Sequence, residues 1–405
     1  MKRGTVLMTF ALLAVCFAAA GLAAPPSAIE LVPPDLEVPR EPAAPPRARK
    51  ADLVARGKAL RTVAPAKAAS SKVVDCAKGN SLQEAIDKST GEVILEVRGL
   101  CNENVRIERR KLTLHGLDPV TDGIRGVTVD PPVIGALEVW YSELVHIENL
   151  SIRHPSGVGV GLWHSGAEMK NCQMTANGNA GVHVSGASFL DATELTLSDN
   201  GRQGLNVQRG SLGFCLGCRL ENNATWAATA NRGSLLSVLD SVVTGGRGVQ
   251  ALTDSYADID CVSEDTAYPC SLNVTRTAAL ATVRSTAAMY GAGPFAGQLA
   301  GSDHGEVYVY GAQQTSSGVG PSGNTLANFL DYFSTLIAEP YVDTAQTAHQ
   351  SQLKGTTRIS SFSRALLIDG TTVNGSVSCD SAGDAWKDAG VTFSGGGISG
   401  CEHAP

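Results

Sequence analysis

A repeat with a period near 22 residues occupies the middle of the chain and restricts its fold more than any other feature. Successive units begin at Ala167, Ser188, Ser211, Ser234 and Ser255, so that they start 21, 23, 23 and 21 residues apart. Each unit contains a segment of alternating apolar and polar residues, a turn rich in Asn, Asp and Gly, and a second alternating segment that begins with Gly. A looser unit precedes them from Leu144.

Alternation with a period of two is typical of β-strands, and short strands separated by turns at a fixed period are typical of a solenoid. One coil cannot bury its inward side chains alone, but coils stacked about 4.8 Å apart bury a continuous column. The sequence therefore predicts a parallel β-solenoid. A leucine-rich repeat is the alternative, because ELTLSDN at 194–200 resembles its strand motif. That fold needs a second leucine-rich segment, and Gly, Ala, Thr and Ser fill the corresponding positions here.

One turn of the repeat carries a recurring asparagine. Asn177, Asn200 and Asn223 are 23 residues apart, and Asn222 offers an alternative register for the third of them. An amide side chain both donates and accepts hydrogen bonds, so stacked amides can bond from one coil to the next. We therefore expect an asparagine ladder at this turn.

The start of the predicted domain resembles a known superfamily. Residues 74–118, VDCAKGNSLQEAIDKSTGEVILEVRGLCNENVRIERRKLTLHGLD, are similar to the opening of secreted right-handed parallel β-helix proteins such as pectate lyases and polygalacturonases. The resemblance covers about residues 73–263 and implies an all-β, right-handed parallel β-helix. It also implies that a helix over Ser81 to Lys88, with Ser81 as N-cap and Glu84 three residues later, closes the first coil.

The sequence divides into three regions. Residues 1–24 are predicted to be a signal peptide, because Lys2 and Arg3 precede an apolar stretch that ends in small residues. Residues 25–72 are predicted to be a disordered linker, Pro-rich at first and basic afterwards. Residues 73–405 are the β-helix domain, with regular coils over 144–263, irregular coils and loops over 264–378, and a C-terminal cap over 379–405.

The signal peptide predicts a secreted, periplasmic or cell-surface protein. A transmembrane anchor is disfavoured because proline follows the apolar stretch, and lipoprotein processing at Cys16 is disfavoured by the branched Val15 before it. The later sequence has no stretch of about 20 apolar residues, so no membrane span is expected in the mature form. The net charge of −7 argues against a nucleic-acid partner.

Ten cysteines in an exported chain predict disulfide bonds. Loss of Cys16 with the signal peptide leaves nine, so at least one thiol stays free or pairs between chains. The predicted pairs are Cys76–Cys101 and Cys379–Cys401 at the two ends of the domain, and Cys261–Cys270 around a loop. Cys215 and Cys218 have redox or zinc-motif spacing, but no second cysteine pair or suitably spaced histidines accompany them. We expect Cys172 and Cys218 to be buried thiols instead.

The Gly-initiated segments place a row of polar side chains outside the solenoid, where the related enzymes carry their catalytic groups. The resemblance makes this face the candidate groove for a polymeric sugar. The candidate binding residues are Trp163, His183, Asn206, Gln208, Arg209, Thr229, Asn231 and Arg232, with Gly161, Ser185 and Gln250 in the same rows. Trp163 is expected to offer a flat surface to a sugar ring, and the two guanidinium groups to bind an anion.

Catalytic residues are not assigned. Glycoside hydrolysis needs two carboxyl groups beside the scissile bond, and these rows contain none. The Asn-Thr-Asp, Asp-Asp and Arg-Ile-Lys motifs of the related hydrolases are absent. The leading hypothesis is therefore glycan binding in the cell envelope, with a structural or adhesive envelope protein as the alternative. A polysaccharide lyase with Arg209 or Arg232 as base is a second alternative, and Ca²⁺ near Asp254, Asp258 and Asp260 is the one cofactor considered.

Overall fold

The chain divides into two units, Met1–Ala64 and Pro65–Pro405. The computed structural model describes residues of the second unit only: 70–129, 134–261, 268–291, 294–302, 306–310, 313–316, 325–332, 335–337, 341–349, 352–359, 364–367, 372–379, 384–387 and 391–400. The predicted signal peptide and nearly all of the predicted linker lie outside the described residues.

The described residues form a 3₁₀ turn (Cys76–Lys78), one α-helix, α1 (Leu82–Asp87), and 36 strands. The first twelve strands are β1 (Ser70–Asp75), β2 (Val93–Arg98), β3 (Leu100–Cys101), β4 (Val105–Glu108), β5 (Leu112–Gly116), β6 (Gly123–Arg125), β7 (Gly135–Trp140), β8 (Val145–Glu148), β9 (Ser151–Arg153), β10 (Val158–Trp163), β11 (Gly166–Lys170) and β12 (Gln173–Thr175). The next twelve are β13 (Val182–Ser185), β14 (Phe189–Thr193), β15 (Thr196–Ser198), β16 (Leu205–Gln208), β17 (Leu212–Leu216), β18 (Arg219–Glu221), β19 (Ala228–Asn231), β20 (Leu235–Leu239), β21 (Val242–Leu252), β22 (Tyr256–Asp260), β23 (Ser271–Thr282) and β24 (Thr286–Tyr290). The last twelve are β25 (Pro294–Ser302), β26 (Glu306–Tyr310), β27 (Gln313–Ser316), β28 (Thr325–Tyr332), β29 (Thr335–Ile337), β30 (Tyr341–His349), β31 (Gln352–Ile359), β32 (Arg364–Leu367), β33 (Thr372–Cys379), β34 (Asp384–Lys387), β35 (Thr392–Phe393) and β36 (Gly397–Ser399).

These strands stack in parallel into the three sheets of a right-handed β-solenoid. One sheet runs from β1 through β2, β5, β8, β11, β14, β17, β20 and β22 to β34. A second contains β3, β6, β9, β12, β15 and β18. The third, here the front sheet, contains β4, β7, β10, β13, β16 and β19. The second and third sheets both continue into the long strand β21.

Strands are present outside residues 144–263, the range predicted for the regular coils. Strand β1 begins at Ser70 and pairs with β2 from that residue onward, so ordered structure starts before the predicted domain boundary at 73. Strands β23 to β32 lie within residues 264–378, where irregular coils and loops were expected. Parallel pairing continues through β34, β35 and β36 as far as Ser399, inside the segment predicted to be the C-terminal cap.

Alternation along each strand creates the core. In β13, Val182 and Val184 are fully buried while His183 between them points outward. Leu205 and Val207 of β16 occupy the same positions one coil later. Each buried side chain of this size stabilises the fold by about 1.5–3 kcal/mol, and one continuous cluster of such residues runs from coil to coil. Strands on all three sides of each coil exclude the leucine-rich alternative.

The asparagine ladder is confirmed. Asn177 donates its backbone and side-chain N–H groups to Oδ1 of Asn200, at 3.1 and 2.8 Å. Asn200 bonds to Oδ1 of Asn223 in the same way, at 3.3 and 2.8 Å. His154 begins the ladder, because its backbone N–H donates to Oδ1 of Asn177 at 2.7 Å. Asn222 is exposed beside the ladder, so the alternative register is not used.

The predicted helix near the start of the domain is also confirmed. Ser81 is its N-cap and accepts a hydrogen bond from the backbone N–H of Glu84. Glu103 accepts from the backbone N–H of Leu82 at 2.6 Å, so a second carboxylate caps the same helix end. Leu82, Ala85 and Ile86 of the helix belong to the apolar core. No helix in the described part of the chain has the length and apolar character needed to cross a membrane.

Two of the predicted disulfide bonds are confirmed, and the prediction for Cys218 is wrong. Cys76–Cys101 and Cys261–Cys270 are disulfide-bonded. Cys218, expected to be a buried thiol, is instead bonded to Cys215, because the sharp corner between β17 and β18 brings their Cα atoms within 5.9 Å. Cys172 is a buried free thiol, as expected, and burial raises its pKa to about 12. Cys401 lies outside the described residues, so Cys379–Cys401 stays a prediction.

Candidate functional site

The front sheet carries two columns of outward side chains that run along the solenoid axis. In the first column Glu138, Gly161, His183, Asn206, Thr229 and Gln250 follow one another in register. In the second column the sequence is Trp140, Trp163, Ser185, Gln208, Asn231 and Leu252. These two columns and the residues at the strand ends that follow them are called the front face below. The structure therefore brings all eight predicted binding residues to one side of the solenoid.

Two of the predicted residues are less accessible than expected or already engaged. Thr229 is only 3% exposed, and Ser185 in the neighbouring column is 2% exposed, so neither hydroxyl is available to a ligand. Trp163 stacks on Trp140 with ring centroids 4.7 Å apart, and its other face is turned toward His183 at 6.0 Å. Trp163 therefore forms part of an aromatic stack and does not present an open flat surface.

A glycine explains the position of the Trp163 ring. A Cβ atom placed on Gly161 would lie 1.9 Å from the Trp163 ring, so the indole extends over the glycine along its own strand. Trp140 is held on the other side by Glu138, which accepts its indole N–H at 3.1 Å, and by the Arg106 guanidinium, 5.0 Å from its ring centre. The stack is rigid because both rings are fixed by neighbours in more than one coil.

His183 connects the aromatic stack to the amide side chains of the next coils. Its Nδ1 lies 3.3 Å from Nδ2 of Asn206, and its Nε2 lies 2.9 Å from Nε2 of Gln208. A neutral imidazole has one donor and one acceptor nitrogen, so one of the two amides must turn its oxygen toward the ring. Burial, and secondarily the charge of Arg209, lowers the pKa of His183 from 6.5 to about 4. The side chain is therefore neutral at physiological pH.

Because the pKa of His183 is lowered in the folded protein, the stability of the fold is expected to depend on pH through this residue. Protonation is easier in the unfolded chain, so the contribution of the neutral ring is complete above pH 6.5 and is lost as the pH falls toward 4. We expect the free energy of unfolding to fall by about 1–2 kcal/mol more in the wild type than in His183→Gln between pH 7 and pH 4.5. Urea unfolding at the two pH values measures this. Equal losses in both proteins would contradict the assignment, since buried His154, whose pKa is also lowered, is common to both.

Arg209 and Arg232 follow the second column at the strand ends and are exposed. Backbone N–H groups of Arg209 and Gly210 donate to the carbonyls of Asn231 and Arg232, which places Arg209 and Arg232 side by side in adjacent coils. Both have left-handed backbones, with φ of 59° and 55°. Neither guanidinium has a hydrogen bond or ion pair with the described residues. The backbones of these two arginines therefore lie about one strand spacing, ~4.8 Å, apart.

The same strand-end position carries two stacked rings in earlier coils. Tyr141 and His164 occupy the equivalent strand-end positions of the preceding coils and stack with ring centroids 5.2 Å apart. The Arg109 guanidinium lies 5.5 Å from the Tyr141 ring centre. Residues 135–140, GALEVW, have the alternation of the repeat and could have revealed Glu138 and Trp140 as front-face residues. The irregular spacing of this coil concealed them.

The carboxylates of the front face are committed to structural contacts. Glu138, absent from the rows considered in the sequence analysis, accepts hydrogen bonds from the backbone N–H groups of Ile134 and Gly135 as well as from Trp140. Glu108, in register with Trp140, forms ion pairs with Arg106 and Arg109. These contacts hold Trp140 of the aromatic stack and the side chains of Arg106 and Arg109 in place.

The acidic residues considered for Ca²⁺ are divided between two positions. Asp254 is exposed at a strand-end turn and forms an ion pair with Arg284, whereas Asp258 and Asp260 are buried on β22. Asp258 accepts a hydrogen bond from the hydroxyl of Tyr256. Among the described residues, the one group of His, Cys, Asp and Glu atoms close enough to share a metal ion is Cys76, Cys101 and Glu103. Its two sulfur atoms are joined in a disulfide, so that group does not fit a metal.

Comparison with known proteins agrees with this architecture. Residues 135–261 match the family described as right handed beta helix region. No curated protein matches the chain. One solved structure similar to the chain is that of a pectin methylesterase mutant in complex with a hexasaccharide, with 12% identity, 84% of this chain and 92% of that chain covered, and a TM-score of 0.27. The matched segment spans β7 to β22, and the parallel register of those coils is that of a right-handed parallel β-helix.

Proposed function

We propose that the front face binds an anionic, uronate-containing polysaccharide along the solenoid axis. The observation that carries this proposal is the pair Arg209 and Arg232, exposed in adjacent coils without a partner among the described residues. Like charges in adjacent coils repel each other, and a ligand with successive carboxylates relieves that repulsion. A guanidinium group matches a carboxylate with two parallel hydrogen bonds, which makes the contact geometrically specific.

The neighbouring columns supply contacts for the uncharged part of such a polymer. Gln208 and Asn231 lie next to the two arginines and are partly exposed, and Gln250 follows in the next coil. Their amides can donate to and accept from sugar hydroxyls. Neutral His183 fixes the amides of Asn206 and Gln208 and adds no charge. The aromatic stack of Trp140 and Trp163 forms a rigid wall beside the amides, with ring edges available for apolar contact.

Binding is favoured over chemistry because the carboxylates of the front face are already engaged. Glu138 accepts three hydrogen bonds, and Glu108 is paired with two arginines. A hydrolase needs one carboxyl group as acid and a second as base or nucleophile. The signal-like N-terminus and the disulfides support export of the protein, since oxidising compartments preserve disulfides.

A glycan array probed with the full chain as secreted tests this proposal. We expect signal on uronate-containing glycans, weaker signal at high salt because the contact is ionic, and no signal on neutral glycans. Incubation with the same polymers is expected to produce no absorbance from an unsaturated uronate. Such an absorbance would support the lyase alternative. Absence of binding to every glycan would overturn the proposal and leave the structural or adhesive alternative.

A further inference from the structure

Arg209 and Arg232 form the basic edge of the front face. An ion pair within the chain lies in the coils that follow them. Arg284 donates from Nε to Oδ1 of Asp254 at 2.9 Å and from Nη2 to Oδ2 at 3.1 Å. This is the two-pronged geometry in which a guanidinium group binds a carboxylate. The Asp254 carboxylate thus binds Arg284 in the same way as a uronate is proposed to bind Arg209 and Arg232.

The backbone register places these charges in consecutive coils. The N–H of Arg232 donates to the carbonyl of Leu252, and that of Gly233 donates to the carbonyl of Thr253. Asp254 therefore lies in the coil after Arg232, in register with Gly233. The N–H of Asp254 in turn donates to the carbonyl of Val283, which puts Arg284 one coil further. Along the axis the charges of these coils are positive at Arg209 and Arg232, and then, one residue further along the chain in the next two coils, negative at Asp254 and positive at Arg284.

We infer that Asp254 determines the length of anionic ligand that the front face accepts, by neutralising Arg284 and repelling the carboxylate that would follow Arg232. This inference rests on the proposed function and adds a specificity-determining residue to it. With Asp254 present, the edge offers two adjacent cations. Without it, Arg284 becomes a third cation, and no carboxylate separates it from the other two.

The ion pair can be removed without disturbing the solenoid. The side chains of Arg284 and Asp254 are 71% and 49% exposed, and exposed pairs of this kind contribute little to stability. Asp254→Asn keeps the size of the side chain and tolerates the left-handed backbone at this position, where φ is 57°. Effects of this variant on binding are therefore not expected to arise from unfolding.

The test compares oligogalacturonates of increasing length by titration calorimetry at low salt. Asp254→Asn is expected to bind long oligomers about tenfold more tightly than the wild type, which corresponds to one added charge-assisted contact, and to bind a dimer equally well. Adding Arg284→Gln to this variant should remove the gain. Asp199→Asn removes an exposed aspartate with a left-handed backbone at another corner, and it should leave affinity unchanged.

The outcomes separate this inference from the function on which it rests. If Arg232→Ala weakens binding but Asp254→Asn leaves the affinity for long oligomers unchanged, the length-limiting role is wrong and the binding face stands. An equal gain in Asp199→Asn would also overturn the inference, because it would show a general effect of net charge. If Arg232→Ala changes nothing, the proposed function fails first, and a gain in Asp254→Asn would then be unrelated to the front face.

Discussion

Replacing Arg209 and Arg232 together by glycine is expected to abolish binding of a uronate polymer while leaving the protein as stable as the wild type or more so. Both residues have positive φ, a conformation that costs an ordinary residue about 1–2 kcal/mol and glycine very little. Each guanidinium is expected to contribute about 1.5–3 kcal/mol to binding, so each loss weakens affinity roughly 10- to 150-fold. Calorimetric titration and thermal unfolding of the same samples measure the two effects.

The chain contains a matched control for this double variant. Arg125 and Arg153 are also exposed and in register in adjacent coils, on the second sheet instead of the front sheet. Changing both to Gln removes the same net charge and should leave affinity nearly unchanged. If this control lost as much affinity as the glycine variant, binding would depend on overall charge and the front face would have no special role. A glycine variant that unfolds at lower temperature would contradict the strain argument.

Asn200→Ala is expected to destabilise the solenoid by roughly 3–5 kcal/mol, the largest loss we expect from a single substitution. The Asn200 side chain is buried, accepts two hydrogen bonds from Asn177, and donates to Asn223 and to the carbonyl of Met174. Alanine would leave two donors of Asn177 without partners, and it would remove the side-chain hydrogen bonds to Oδ1 of Asn223 and to the carbonyl of Met174. Each unpaired buried group costs about 1–3 kcal/mol, and the coils of a solenoid depend on their neighbours.

Asn222→Gly is the control for this prediction. Asn222 precedes the ladder residue Asn223, is exposed, and has a left-handed backbone with φ of 52° that glycine adopts readily. We expect the glycine variant to match or exceed the wild type in chemical unfolding. A loss below 1 kcal/mol in Asn200→Ala would show that the ladder is not what holds adjacent coils together.

The fold could be predicted from the sequence because the coils of a solenoid repeat at a nearly constant interval along the chain. Alternation placed Val182, Val184, Leu205 and Val207 inside, and the 23-residue spacing placed Asn177, Asn200 and Asn223 in one ladder. The Cys76–Cys101 and Cys261–Cys270 pairs could also be inferred from positions along the chain. The Cys215–Cys218 bond was missed because it depends on how sharply one corner turns, which spacing alone does not specify.

The position of the candidate site could be predicted from the sequence, but the accessibility of its side chains could not. The outward direction of Trp163 and Gln208 follows from alternation. Arg232 is exposed for another reason, because it lies at the strand-end turn with a left-handed backbone. Accessibility is different, because it depends on side chains from other coils: Trp140 covers a face of Trp163, and Thr229 is buried although it points outward. Glu138 and Trp140 lie in a coil with an insertion before it, so a strict repeat did not include them.

The proposed function requires that the guanidinium groups of Arg209 and Arg232 bind successive carboxylates of one polymer chain. The most direct measurement is the affinity of the full chain for polygalacturonate compared with the same polymer fully methyl-esterified, at one salt concentration. Esterification removes the charges and preserves the sugar backbone, so we expect affinity to fall at least 100-fold in the wild type and to change little in the Arg209→Gly/Arg232→Gly variant. Equal affinity of the wild type for both polymers would contradict the claim.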